Sequence, residues 1–150
     1  MSIQLLTVEE YSKCNNIWDM EKRKELAEQF LSELKSGNRI IYVYQDGDAF
    51  IGEIALVKDA NDPDYTIPNQ RLYVSRLIVK KERRRQGIGK QLVAFAIEQA
   101  QVLGYSELSI GVNLDNYAAL KLYIESGFDK VIYIGEDELG KYVKLLNTLR

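Results

Sequence analysis

Leu77-Ile78-Val79-Lys80-Lys81-Glu82-Arg83-Arg84-Arg85-Gln86-Gly87-Ile88-Gly89-Lys90 is the stretch on which the reading of this chain turns. An apolar, β-branched run enters a basic turn with two glycines, and the turn opens a segment whose Ile88, Leu92, Ala96 and Ala100 share one helical face. Strand, glycine turn and helix start suit a phosphate: glycine lets the backbone approach, and the first amides of a helix point outward with the positive dipole end behind them. Amides from Arg85 to Lys90 are therefore placed to wrap a pyrophosphate, and Arg84 or Arg85 to add a forked contact. Two other phosphate loops are excluded. A nucleotide-triphosphate loop needs serine or threonine after its lysine, but Gln91 follows Lys90, and Arg84 stands where its first glycine belongs. A dinucleotide turn needs a third small residue where Leu92 stands. Read alone, Lys80 to Arg85 fits a solvated charged turn equally well.

Working outward, Arg71 to Val79 reads as a strand, Gly87 to about Leu103 as a helix and Glu107 to Val112 as a strand, which implies a right-handed parallel crossover. Upstream, Ile3 to Leu6 is a short strand. Thr7 and Glu10 have capping-box spacing for a helix ending near Trp18. Leu26, Ala27, Phe30, Leu31 and Leu34 mark a second helix stopped at Gly37-Asn38. Ile40 to Tyr44 and Ala49 to Val57 form a hairpin through Asp46-Gly47, and Lys58 to Gln70 is a punctuated loop. Downstream, Asn116 to Ser126 is a short helix closed by Gly127, followed by the strand pair Val131 to Ile134 and Tyr142 to Leu146. The fold class expected is a mixed α/β (α+β) sheet in a single domain over residues 1–150.

Composition narrows the chemistry. With 46% apolar and 28% charged residues, neither a disordered nor a fibrous chain is favoured. Cys14 is the sole cysteine and histidine is absent, so an imidazole-based triad, an internal disulfide and a Cys/His metal site are excluded; a reducing cytoplasm and no metal are expected. No apolar run reaches membrane-spanning length, so no membrane partner is expected. A net charge of -2 gives nucleic acid little general attraction, leaving any anion site local.

Arg84-Arg85-Gln86-Gly87-Ile88-Gly89 resembles the R/Q-x-x-G-x-G/A loop of the GCN5-related N-acetyltransferases (GNAT). A second segment, Asn116-Tyr117-Ala118-Ala119-Leu120-Lys121-Leu122-Tyr123-Ile124-Glu125-Ser126-Gly127-Phe128, is similar to that family's N-x-x-A-x-x-L-Y-x-x-x-G-F. The resemblance implies a mixed, mostly antiparallel sheet with splayed central parallel strands flanked by helices, and acetyl-coenzyme A as the acetyl donor for an amine acceptor. It implies that Leu77, Ile78 and Val79 pair with the pantetheine arm like an added strand, with a backbone amide near Leu77 facing the thioester oxygen. The same resemblance assigns the pyrophosphate to Arg84, Arg85, Gln86, Gly87, Ile88, Gly89 and Lys90, and further cofactor contacts to Asn116, Ala119 and Tyr123. Tyr123 then resembles the general acid for the departing thiolate; thiols near ~8.5 and phenols near ~10 make the transfer feasible. By spacing alone, Tyr123 fits a core aromatic as well, and Asn116 a helix cap.

The chain departs from the family where a base is expected. Members that carry a strand glutamate place it where this sequence has Tyr73 or Gly111. Glu53 is the substitute candidate for catalysis; a water relay with Tyr73, Ser75 or Arg76 is equally open, and so is an outward-facing strand position for Glu53. Asp59, Asp62 and Asp64 with Glu136, Asp137 and Glu138 suggest an anionic mouth for a cationic amine, whereas an inward Arg76 favours an acceptor with a carboxylate. The expected function is transfer of an acetyl group to a primary amine of a small molecule or peptide in a ternary complex. The alternative is a non-catalytic acyl-coenzyme A sensor, and an exposed strand edge leaves room for a homodimer.

Overall fold

A computed structural model describes residues 1–149. The elements run β1 (Ser2–Leu5), a 3-10 helix (Val8–Asn16), α1 (Lys24–Ser36), β2 (Arg39–Asp46), β3 (Ala49–Val57), β4 (Arg71–Val79), a 3-10 turn (Lys81–Arg83), α2 (Ile88–Val102), β5 (Glu107–Asn113), α3 (Tyr117–Glu125), β6 (Lys130–Asp137) and β7 (Gly140–Thr148). The sheet is mixed α/β in character as expected, seven-stranded, in the order β1-β2-β3-β4-β5-β7-β6. Backbone contacts group Met1–Leu56 with Arg76–Ala96 as one compact unit, and Val57–Ser75 with the chain from Ile97 onward as another. The division runs through β4 and α2.

In the first unit, β1 pairs antiparallel with β2, from Ser2 opposite Gln45 to Leu5 opposite Tyr42. The 3-10 helix and α1 bury Tyr11, Cys14, Ile17, Trp18, Ala27 and Phe30 against Ile41, Val43 and Phe50, each large apolar side chain contributing about 1.5–3 kcal/mol. Cys14 is fully buried, and loss of solvent pushes its thiol pKa well up. α1 stops at a left-handed Gly37 (φ 85°), as the sequence indicates. Thr7 behaves differently from the capping-box expectation: its hydroxyl donates to Glu10 Oε1 (3.0 Å) and caps no backbone amide, and the segment that follows is 3-10 rather than α. α2 lies close over β3, because a side chain at Gly52 would press on Leu92 Cδ1 and Ile88 Cγ2 at 3.2 and 3.3 Å.

In the second unit, β4 and β5 run parallel, Arg71 to Val74 beside Glu107 to Ile110. β7 lies antiparallel to β5 from Glu107 opposite Thr148 to Asn113 opposite Tyr142, and pairs with β6 on its other side. The last hairpin is therefore inserted with β7 inward, so its alternate residues Val143 and Leu145 reach the core. α3 begins at Asn116, whose Oδ1 accepts the Ala119 amide (3.3 Å), and closes through the Phe128 amide donating to the Tyr123 carbonyl (3.0 Å).

Candidate active site

In the first unit, β4 passes into Lys80, whose amide donates to the Ile51 carbonyl (2.8 Å). After the 3-10 turn, Arg84 is extended, and Arg85 and Gly87 both take left-handed backbone, at φ 65° and 81°. Left-handed residues at Arg85 and Gly87 give this turn the kind of backbone from which anion nests are built. Among the described residues, the amides of Arg85, Gln86, Gly87, Ile88, Gly89 and Lys90 donate to no backbone carbonyl, and the first bond of the helix belongs to Gln91, on the Gly87 carbonyl at 3.1 Å. The basic side chains divide into two sets. Arg83 pairs with Asp46 (3.0 Å) and donates to Gln86 Oε1 (3.2 Å), Arg84 Nε donates to the Val79 carbonyl (3.0 Å), and Lys80 Nζ holds Asn16, so these shape the turn. Arg85 and Lys90 are exposed and take no part in those contacts. Leu77, Ile78 and Val79 are half-buried on β4, with Ile78 packed on the core of the unit.

Glu53 also belongs to the first unit, and it is not an outward strand residue: it is 2% exposed. It follows Gly52 on β3 and so points to the opposite face. Burial raises its pKa, opposed by the Arg76 guanidinium, by the nearby Trp18 indole N–H and by Arg39. Its Oε1 has no hydrogen-bond partner among the described residues, nor has Arg76 Nε. Arg76 lies over the Trp18 ring at 4.4 Å, and burial lowers its pKa, an effect Glu53 opposes. Arg39 donates to Glu33 Oε1 (2.8 Å) and covers the Phe30 ring at 3.8 Å.

The second unit holds a pocket of about 600 Å³ that brings together Asn116, Ala119 and Tyr123 with Tyr73 and Gly111. Tyr123 is 7% exposed, its ring edge-on to Phe128 at 6.1 Å, and burial, with Tyr73 beside it, pushes the phenol up to about 12. It keeps its proton at neutral pH, the state a proton donor needs. Tyr65 and Tyr73 stack at 4.1 Å with 24° between rings. A side chain on Gly111 would overlap the Tyr65 hydroxyl, so that tyrosine fills the space glycine leaves on β5. Lys144 Nζ pairs with Asp62 and Asp64 at 3.0 Å each. Of the acids expected to form an anionic mouth, Asp62 and Asp64 answer Lys144, and Asp62 and Asp137 line the pocket.

Tyr65 and Lys144 went unmarked in the sequence. Tyr65 sits in a polar turn among Pro63 and Asp64, a context that signals only a loop. The one signal for Lys144 is its place in Val143-Lys144-Leu145-Leu146, a charge within an apolar strand that must find a partner once buried.

Residues 4–128 match the model of the acetyltransferase (GNAT) family, so the chain belongs to that family. It is 33% identical over 97 residues to N-acetyltransferase family 8 member 3 of Rattus norvegicus, a match covering 65% of this chain and 41% of that protein, so the chain spans under half of that relative's length. Among solved structures, it resembles a Bacillus subtilis acetyltransferase in complex with CoA (TM-score 0.73, 24% identity, 99% and 98% of the two chains). A GNAT family acetyltransferase from Elizabethkingia anophelis with acetyl-CoA bound is similar as well (TM-score 0.74, 20% identity, 99% and 97%).

Proposed function

We propose that this chain is an N-acetyltransferase that carries an acetyl group from acetyl-CoA to a primary amine by direct attack in a ternary complex. The observation that carries the reading is the row of amides from Arg85 to Lys90, left without carbonyl partners by two left-handed residues and a helix start. Such a row fits a diphosphate, and the CoA and acetyl-CoA complexes of two fold neighbours support that occupant. Arg85 and Lys90 add charge to it, with Arg84 and Gln86 bracing the turn. Leu77 to Val79 offer strand backbone to the pantetheine amides, and a β4 amide near Leu77 faces the thioester oxygen. Bound acetyl-CoA supplies the thioester carbon to which the amine nitrogen bonds as the C–S bond breaks.

Tyr123 holds its proton on Oη until the sulfur leaves and then donates it there; Asn116 and Ala119 position the arm beside it. The proton lost by the amine needs an acceptor. Glu53 is that proposed base: its raised pKa and partnerless Oε1 favour proton uptake, and its burial requires a relay rather than direct contact with the amine. The deciding experiment incubates the protein with acetyl-CoA and a panel of amines, reads acetylated product by mass spectrometry, and measures acetyl-CoA binding by calorimetry. Binding with product on at least one amine is expected. Binding without product on any amine leaves an acyl-CoA sensor, and no binding by folded protein ends the reading.

A further inference from the structure

The Lys144 ammonium sits in a complete alkylammonium site. Its Nζ is 3.0 Å from Asp62 Oδ2 and 3.0 Å from Asp64 Oδ2, and it lies 4.8 Å from the centre of the Tyr65 ring and 4.7 Å from that of Tyr133. Two carboxylates and two aromatic faces are the chemistry that recognises a primary ammonium, the acids taking its N–H groups and the rings its charge. The Lys144 side chain is 10% exposed, so the ammonium itself is largely covered, while Asp62, Asp64 and Tyr133 keep their outer sides in water. Lys144, Asp62 and Tyr65 also line the pocket that holds Tyr123.

The walls of this cage do not depend on their occupant. Arg71 Nη1 donates to the Asp64 carbonyl (2.8 Å), Ser109 Oγ to the Tyr65 carbonyl (2.6 Å) and the Ala60 amide to Thr66 Oγ1 (3.1 Å), while Tyr65 is held by its stack on Tyr73. These contacts fix the loop before β4 from residues other than Lys144. A tether alone would need one ion pair; here the ammonium is enclosed by acids and rings inside the very cavity in which an amine is to be acetylated.

We propose that Lys144 determines acceptor specificity: it fills from within the site that a second ammonium would take, so the far ammonium of an α,ω-diamine finds no seat and gives the diamine no advantage over a monoamine. The inference rests on the reading of the pocket as the place of amine acetylation. Lys144→Ala then opens the cage, and the freed carboxylates and rings hold the far ammonium of a diamine. Lys144→Met keeps an unbranched stem in the same channel and leaves it closed.

The test compares 1,5-diaminopentane with pentylamine on wild type, Lys144→Ala and Lys144→Met, by kcat/KM and, without acetyl donor, by the shift in melting temperature each amine causes. Wild type is expected to show no preference for the diamine. Lys144→Ala is expected to gain about tenfold for the diamine over the monoamine, and to be raised in melting temperature by the diamine alone. Lys144→Met is expected to gain neither. A wild-type preference for the diamine of about tenfold or more overturns the proposal, and that arm decides even if Lys144→Ala does not fold. So does a folded Lys144→Ala that binds the diamine no better than wild type. If wild type acetylates no amine, it is the acetyltransferase reading that falls, and the diamine-dependent melting shift of Lys144→Ala still decides whether the cage is a cation site.

Discussion

The hydroxyl of Tyr123 is buried, protonated at neutral pH and without a carboxylate neighbour among the residues that shift it. Tyr123→Phe removes the proton and little else, so kcat is expected to fall by ~10²-fold or more while acetyl-CoA affinity measured by calorimetry stays unchanged. Glu53 poses the converse case. Its carboxyl is raised by burial, so the folded chain holds that proton more tightly than the unfolded one. The stability associated with Glu53 is present below its ordinary range near 4.5 and is lost as pH rises through the elevated folded value. Wild type should therefore lose stability relative to Glu53→Gln across that window, and denaturant midpoints that move in parallel with pH would remove the linkage. At this scale the sequence is informative for Asn116 as a helix cap, which accepts the Ala119 amide, and for Tyr123 as a buried aromatic beside Phe128. It was silent on Tyr65 and Lys144, because their roles come from contacts between a loop and strands far apart in the chain.

Turns and helix starts were the most legible elements. Gly87 takes φ 81° where the proposed anion turn calls for backbone freedom, and Ile88, Leu92, Ala96 and Ala100 are all buried along α2. A side chain at Gly87 meets open space, so Gly87→Val strains the backbone without a clash. The expected result is folded protein with acetyl-CoA affinity reduced about tenfold or more, since the nest loses its shape. β5 gives a sharper case. Gly111→Ala puts a methyl onto the Tyr65 hydroxyl, and thermal or denaturant unfolding should show a loss of about 1–3 kcal/mol. Tyr65→Phe in the same chain removes the offending oxygen and should return part of that loss, whereas equal costs in both backgrounds would mean that the loop shifts aside. Thr7 and Glu10 have the spacing of an α-helical capping box, yet their side chains satisfy each other instead of the backbone, and Val8–Asn16 is a 3-10 helix.

For the molecule as a whole, cofactor binding and stability are linked. A ligand that binds only the folded chain raises its stability by about 2.7 kcal/mol at a hundredfold excess over Kd. Acetyl-CoA should accordingly raise the melting temperature in proportion to the logarithm of its concentration, and a flat response would deny binding. Among the described residues no helix is long and apolar enough to cross a membrane. The chain has a single sulfhydryl, and Cys14 keeps it shut inside the first unit with its ionisation suppressed. Chromogenic disulfide reagents should therefore stay colourless on native protein, so that under the proposed reaction every equivalent of colour counts a departing coenzyme. The same reagent added with denaturant should yield one equivalent per chain, so a single bottle reports both catalysis and loss of the fold.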